Sequence, residues 1–263
     1  MNRPDGRSPW ALCRTRRPRA ALRLYCFPHS GGSPGEYVRW ADDLPEIEVW
    51  GVQAPGRGAR LHEEAVTDAR TLVGRFLDTV EPTAPFALFG HSLGALLAYE
   101  TARELRRRGL PQPRLMFLSA CPPPDHPREQ PRISDLPDAA LLDVVQRRYG
   151  GLPEALTRDP ALLGLVLPAH RADFAVLENH RHVPEAPLEV PLVVVGGDRD
   201  IPREVLAGWQ RHTTGRFDLH VLPGGHFYLR DEAQHRALMS LISRAADGAP
   251  APAAAALSLP RLP

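Results

Sequence analysis

The chain contains no lysine: all 32 of its basic residues are arginine, set against 31 acidic residues for a formal net charge of +1. Near-neutrality leaves no whole-chain electrostatic attraction to nucleic acid or to an anionic membrane. Arginine, alanine and proline all have GC-rich codons and lysine does not, so codon usage accounts for the bias without a functional arginine surface. Cysteine is also scarce. Cys13, Cys26 and Cys121 are odd in number, widely spaced and form no CxxC pair, which argues against a disulfide scaffold or a zinc knuckle and for a reducing compartment. No apolar run reaches the roughly 18–20 residues that span a bilayer. Arg16-Arg17 lacks the apolar stretch of a twin-arginine signal, because Pro18, Arg19 and Arg23 interrupt it. The expectation is a cytoplasmic protein, monomeric by default, with no nucleic-acid or membrane partner.

What is present is ordinary for a globular domain: 263 residues, 43% hydrophobic and 24% charged, enough to bury a sizeable core. The Arg/Pro-rich residues 1–20 read as a segment along the surface, and residues 247–263 as a disordered Ala/Pro tail with little to bury. Between them, over 21–246, β-prone runs alternate with helical patterns. Leu22–Phe27, Glu48–Gln53, Phe86–Gly90, Leu115–Ala120, Leu192–Gly196 and Asp218–Leu222 read as strands, several of them apolar nearly throughout, as suits a parallel sheet covered on both faces. Thr67–Val80 gathers Leu72, Val73, Phe76 and Leu77 on one helical face. Leu93–Arg108 runs to a stop at Gly109, and Asp231-x-x-Gln234 resembles a capping box opening a last helix. The pattern predicts an α/β fold, a mostly parallel central sheet flanked by helices. From about Asp125 to Pro187 the alternation stops; helical stretches near Asp138–Tyr149, Pro160–Leu167 and Ala169–His180 suggest a helical insertion acting as a lid.

The chemistry begins at Gly90-His91-Ser92-Leu93-Gly94, a G-x-S-x-G motif placed between a predicted strand and a predicted helix. That context is the nucleophile elbow of an α/β-hydrolase, where side chains at the flanking glycines would clash; the plainer alternative is a glycine-rich βα turn. A serine hydroxyl needs a base within hydrogen-bond reach. His226, in Pro223-Gly224-Gly225-His226-Phe227 between the last strand and the last helix, is the best placed of 11 histidines. The base needs an orienting carboxylate, and chain order asks for it between the serine and the histidine. Asp198 and Asp200, in Gly197-Asp198-Arg199-Asp200, are both candidates. Asp200 reaches further past the strand end and is favoured, with Asp198 expected to serve its own loop. For an oxyanion hole, the backbone N–H groups of Leu93 and of Ser30, in Pro28-His29-Ser30-Gly31-Gly32, are the candidate donors, each supplying roughly 3 kcal/mol. His180-x-His182 has no accompanying ligand pattern for a metal, and no metal or other cofactor is expected.

Taken together, Arg23–Gly32, Ala54-Pro55-Gly56-Arg57-Gly58, Phe89–Ala95, Pro168-Ala169-His170-Arg171-Ala172-Asp173-Phe174 and Gly224–Leu229 resemble the type II thioesterases, the stand-alone editing partners of polyketide synthases and nonribosomal peptide synthetases. The likeness runs from about Trp10 to Ala245. It implies the α/β-hydrolase fold, the triad Ser92, Asp200 and His226, and a substrate acyl group in thioester linkage to the phosphopantetheine of an acyl or peptidyl carrier protein. One departure is Ile201, which separates Asp200 from Pro202 where members often carry proline directly after the aspartate. Alternatives are a medium-chain acyl-CoA or acyl-carrier thioesterase, a general carboxylesterase, an acyltransferase or cyclase, and a catalytically silent carrier-protein binder.

Overall fold

The computed structural model describes residues 8–83, 85–127, 131–150 and 159–246. The expected tail at 247–263 lies outside them. The strands are β1 (Ala11–Leu12), β2 (Leu22–Phe27), β3 (Ile47–Val52), β4 (Phe86–His91), β5 (Met116–Ser119), β6 (Leu192–Gly197) and β7 (Phe217–Leu222). The helices that matter here are α1 (Pro34–Val38), α2 (Ala69–Thr79), α3 (Leu93–Arg107), α4 (Asp138–Tyr149), α5 (Pro160–Asn179), α6 (Arg203–Ala207) and α7 (Glu232–Ala246). The sheet order is β1-β3-β2-β4-β5-β6-β7. Every pairing is parallel except β1 with β3. This is the doubly covered α/β sheet that the alternation predicts.

Alternation along each strand sorts its side chains between two cores. Tyr25, Phe27, Phe86, Leu88, Met116, Leu118, Leu192 and Val194 face α2 and α3, where Phe76, Leu96 and Tyr99 cover them. Leu24, Cys26, Ala87, Phe89, Phe117, Val193 and Val195 face the other way, onto Trp40, Leu238, Leu241 and Ile242. The helix starts follow local chemistry. Asp68 Oδ1 accepts the Thr71 N–H at 2.7 Å to cap α2, and Asp231 Oδ1 accepts from Ala233 and Gln234 at 3.0 and 3.3 Å to cap α7.

Two expectations are corrected. Trp10 and Ala11, placed by sequence in a segment along the surface, are buried, and Ala11–Leu12 adds an antiparallel edge strand to β3. A tryptophan has too much apolar area to leave in water when an open strand edge is available to dock its backbone; its ring packs edge-on to Phe76 and carries the Arg60 guanidinium 4.0 Å above it. In the insertion, the stretches divided at Pro168 form the one continuous helix α5. A proline forfeits one backbone bond in a helix, but here Leu167, Ala169, Ala172 and Phe174 are buried on either side of it and hold the flanks in line. Among the described residues no helix is long and apolar enough to cross a membrane.

Candidate active site

The site lies beyond the C-terminal ends of β2, β4, β6 and β7. Ser92 follows β4 with φ 56° and ψ −120°, a strained conformation for a residue with a side chain. Its N–H donates to Ser119 O at 2.8 Å, which pins the elbow to β5. The strain is possible only because of what flanks it. A Cβ on Gly90 would lie 2.1 Å from Gly94 O, and one on Gly94 would lie 1.9 Å from Phe27 O. The bare first turn of α3 therefore sits directly against the end of β2, next to the loop that carries Ser30. Neither the Leu93 nor the Ser30 N–H is engaged in a turn or cap bond among the described residues, so both remain available to an oxyanion.

The other two candidates are joined to each other. His226 Nδ1 donates to Asp200 Oδ2 at 2.9 Å, with the imidazole buried and the carboxylate only 14% exposed. That contact requires the loops after β6 and β7 to touch. A Cβ on Gly197 would stand 2.4 Å from Gly224 O, so only glycine lets them approach. Asp198 serves its surroundings instead, accepting the Gly224 N–H at 2.8 Å. Ser92, Asp200 and His226 line a single cavity of about 1140 Å³. The imidazole ring of His91, adjacent in sequence to Ser92, is 5.2 Å from that of His226.

Beneath these groups runs a buried polar chain: His91 Nδ1 to Ser119 Oγ at 2.8 Å, and Ser119 Oγ to Tyr228 OH at 2.7 Å. Burial pushes His91 well below the usual histidine range and, with the Arg230 guanidinium nearby, takes His29 down to about 3. These two rings near His226 are thus neutral at physiological pH and place no positive charge beside it.

Sequence reasoning missed three contributors. Tyr149, the last residue of α4, packs on His226; Cys121 and Ala120, just past β5, line the cavity. Arg57 and Asp173 form a buried ion pair at 2.6 Å behind the Ser30 loop. The Pro-Gly-Arg-Gly and Arg-Ala-Asp-Phe motifs that contain the pair were visible, but nothing in either stretch indicates that they meet. His180 and His182 also line the cavity, and no metal-binding cluster of His, Cys, Asp and Glu is found among the described residues.

A family model described as the thioesterase domain matches residues 22–245. Thioesterase PikA5 of Streptomyces venezuelae is 39% identical over 221 residues, 82% of this chain and 78% of that protein. The gramicidin S biosynthesis protein GrsT of Aneurinibacillus migulanus is 33% identical, covering 80% of this chain and 84% of its own length. Among solved structures, the RedJ thioesterase from the prodiginine pathway of Streptomyces coelicolor superposes with a TM-score of 0.80 at 37% identity, covering 85% of this chain and 90% of that one. The type II thioesterase BorB from the borrelidin cluster superposes with a TM-score of 0.77 at 32% identity, over 89% and 95%.

Proposed function

Because the chain belongs to the thioesterase family, we propose that it hydrolyses acyl groups from the phosphopantetheine thioester of acyl or peptidyl carrier proteins, clearing stalled or misprimed units from a polyketide or nonribosomal peptide assembly line. The observation that carries this reading is the Asp200–His226 hydrogen bond at the wall of the cavity that also holds Ser92.

In this reading Ser92 Oγ attacks the thioester carbonyl while His226 Nε2 takes its proton. Asp200 fixes the tautomer with the proton on Nδ1 and stabilises the imidazolium, without itself being protonated. The Leu93 and Ser30 N–H groups hold the oxygen as charge develops on it. The tetrahedral intermediate expels a thiolate, whose reference pKa near 8.5 makes it a far better leaving group than an alkoxide. The thiolate takes up the proton held on His226 Nε2 and departs as the thiol; the imidazole so freed activates water, whose attack on the acyl-enzyme releases the free acid as His226 returns a proton to Ser92 Oγ. A cavity of about 1140 Å³ accommodates an acyl chain together with the end of a pantetheine arm.

Turnover of one acyl group presented on a carrier protein, on coenzyme A and as a simple ester tests the reading. Carrier-bound substrate should give the highest kcat/KM and free acid as the product, and Ser92→Ala should abolish turnover on all three. Hydrolysis of simple esters alone would overturn the carrier-protein assignment.

A further inference from the structure

We propose that Asp173 and Arg57 are positioning residues for the oxyanion-binding loop, so that the insertion helix α5, and not the sheet alone, sets the place of the Ser30 N–H. The inference rests on the mechanism above and adds to it a pair of residues outside the triad.

From His29 to Ser33 the loop after β2 has four peptide planes; the first and third are tied to each other by the turn bond, and the second and fourth are held from outside the loop. The His29–Ser30 plane, which carries the Ser30 N–H, is held by its carbonyl: the Gly32 N–H donates to His29 O at 2.8 Å. The Ser30–Gly31 plane is held by its N–H, which donates to Asp173 Oδ2 at 2.7 Å. The Gly32–Ser33 plane is held by its carbonyl, which accepts from Arg57 Nη1 at 3.2 Å. Arg57 in turn grips Asp173 through two bonds, Nη1 to Oδ2 at 2.8 Å and Nη2 to Oδ1 at 2.6 Å. The turn bond alone leaves the ψ of Ser30 and the φ of Gly31 free; the carboxylate closes that freedom. Gly31 has φ +72° and lies against α5 so closely that a Cβ there would stand 1.9 Å from His170 Nε2. His170 and Asp173 are three residues apart, one face of one helix, and together they back the loop.

The pair has an electrostatic reason to be a pair. A lone carboxylate accepting the Gly31 N–H would stand close to the developing oxyanion and oppose it. The Asp173 side chain is only 2% exposed, so water does not screen that charge. The bidentate guanidinium cancels it, and Oδ2 still accepts the peptide N–H alongside Arg57 Nη1. Removing either member alone leaves a buried, unbalanced charge beside the reacting centre.

The test uses the full chain with an acyl-pantetheine thioester, and two inhibitors: a trifluoromethyl ketone analogue, whose hemiketal oxygen occupies the oxyanion site, and a thioether analogue lacking the carbonyl. Wild-type turnover lost in Ser92→Ala establishes the underlying mechanism, so a negative result with the Arg57 and Asp173 variants counts against the pair alone. Arg57→Met, which bares the carboxylate, and Asp173→Ala, which removes the acceptor of the Gly31 N–H, should each lower kcat by about 10- to 100-fold, less than outright deletion of an oxyanion donor. KM and thioether affinity should move less than threefold, while ketone affinity falls by the same factor as kcat/KM. Arg57→Lys should be intermediate. The double variant Arg57→Met/Asp173→Asn should be faster than Arg57→Met, because the bare carboxylate is gone while the amide oxygen introduced at position 173 still accepts from Gly31. Equal weakening of both inhibitors, unchanged kcat in folded single variants, or a double variant no faster than Arg57→Met would each overturn the proposal. Melting curves identify any single variant that does not fold, and Arg57→Lys, with kcat and ketone affinity lowered together and thioether affinity unchanged, then carries the test.

Discussion

The ring of Tyr149 lies 4.7 Å, centroid to centroid, from the imidazole of His226, and it also stacks on Phe174 at 6.2 Å with an interplanar angle of 20°. Helix α4 thus ends against His226, and α5 packs on the same tyrosine through Phe174. The contact fixes one face of the imidazole and excludes water from it. Aromatic contacts of this kind are worth about 0.5–1.5 kcal/mol, so Tyr149→Ala should lower kcat/KM by roughly 2- to 10-fold. Tyr149→Phe keeps the ring and should retain most of the wild-type rate in the same steady-state assay.

Asp200 and Asp198 stand two residues apart with different partners, and their amide variants should separate cleanly. Asp200→Asn removes the acceptor that holds the His226 tautomer and should cut kcat by about 10³- to 10⁴-fold. Asp198→Asn weakens a single bond to the Gly224 N–H and should change kcat by less than about tenfold, with a stability loss of about 1 kcal/mol. Comparable losses of kcat in the two would undo the assignment, and a larger loss in Asp198→Asn would reverse it.

Gly94 and Gly109 make a second matched pair. A Cβ on Gly94 would meet the Phe27 carbonyl at 1.9 Å, backbone against backbone, whereas a Cβ on Gly109 meets nothing within 4 Å and has only its φ of +65° against it. Gly94→Ala should therefore cost about 1–3 kcal/mol in thermal or urea unfolding and should also displace the elbow, lowering the activity of the folded fraction. Gly109→Ala should cost about 1 kcal/mol through backbone strain alone and leave activity per folded molecule unchanged.

Glu185 gathers Arg103, Arg106 and Arg107 and fastens the chain after α5 to α3. Burial works to raise its carboxyl pKa, but hydrogen bonds from Arg106 and Arg107 and the charge of Arg103 outweigh it and bring the group down from 4.5 to about 2. A depressed folded-state value means that the unfolded chain binds more protons across that interval. The stabilisation is therefore present above pH 4.5 and is lost as pH falls toward 2. Glu185→Gln should lower stability at pH 7 by about 1–2 kcal/mol, discounted for partial exposure. The gap between variant and wild type should close as melting temperatures are followed from pH 5 to pH 2. A gap constant over that range would contradict the linkage.

Much of this architecture was legible in the chain. Strands such as β4, β5 and β6 announce themselves as short apolar runs, since a strand covered on both faces has no polar side to show, whereas β7, with Asp218 and His220, is only half-buried. Asp231 marks its helix because a capping side chain acts within its own turn. The elbow was readable for the same reason: strand, tight glycine turn and helix occupy consecutive residues. The edge strand at Ala11–Leu12 was not, because two residues carry no period and their pairing with Val52 and Gly51 depends on a partner strand far along the chain. Pro168 misled because local propensity disfavours proline within a helix, and only the packing of both flanks against the rest of the molecule overrides it.

Local chemistry in the sequence determined which residue could act as nucleophile, which loop offered a base, and that the carboxylate lay in Gly197-Asp198-Arg199-Asp200. Those assignments depend on bonding within a few residues of each group. The choice of Asp200 rests on the 2.9 Å contact with His226 across 26 residues of chain. The Arg57–Asp173 clamp spans 116 residues, and the seat of Tyr149 on His226 joins the end of α4 to the loop after β7. Only the folded chain decides such contacts, because they exist where the sheet order and the path of the insertion bring distant backbones together, and no local preference encodes that meeting.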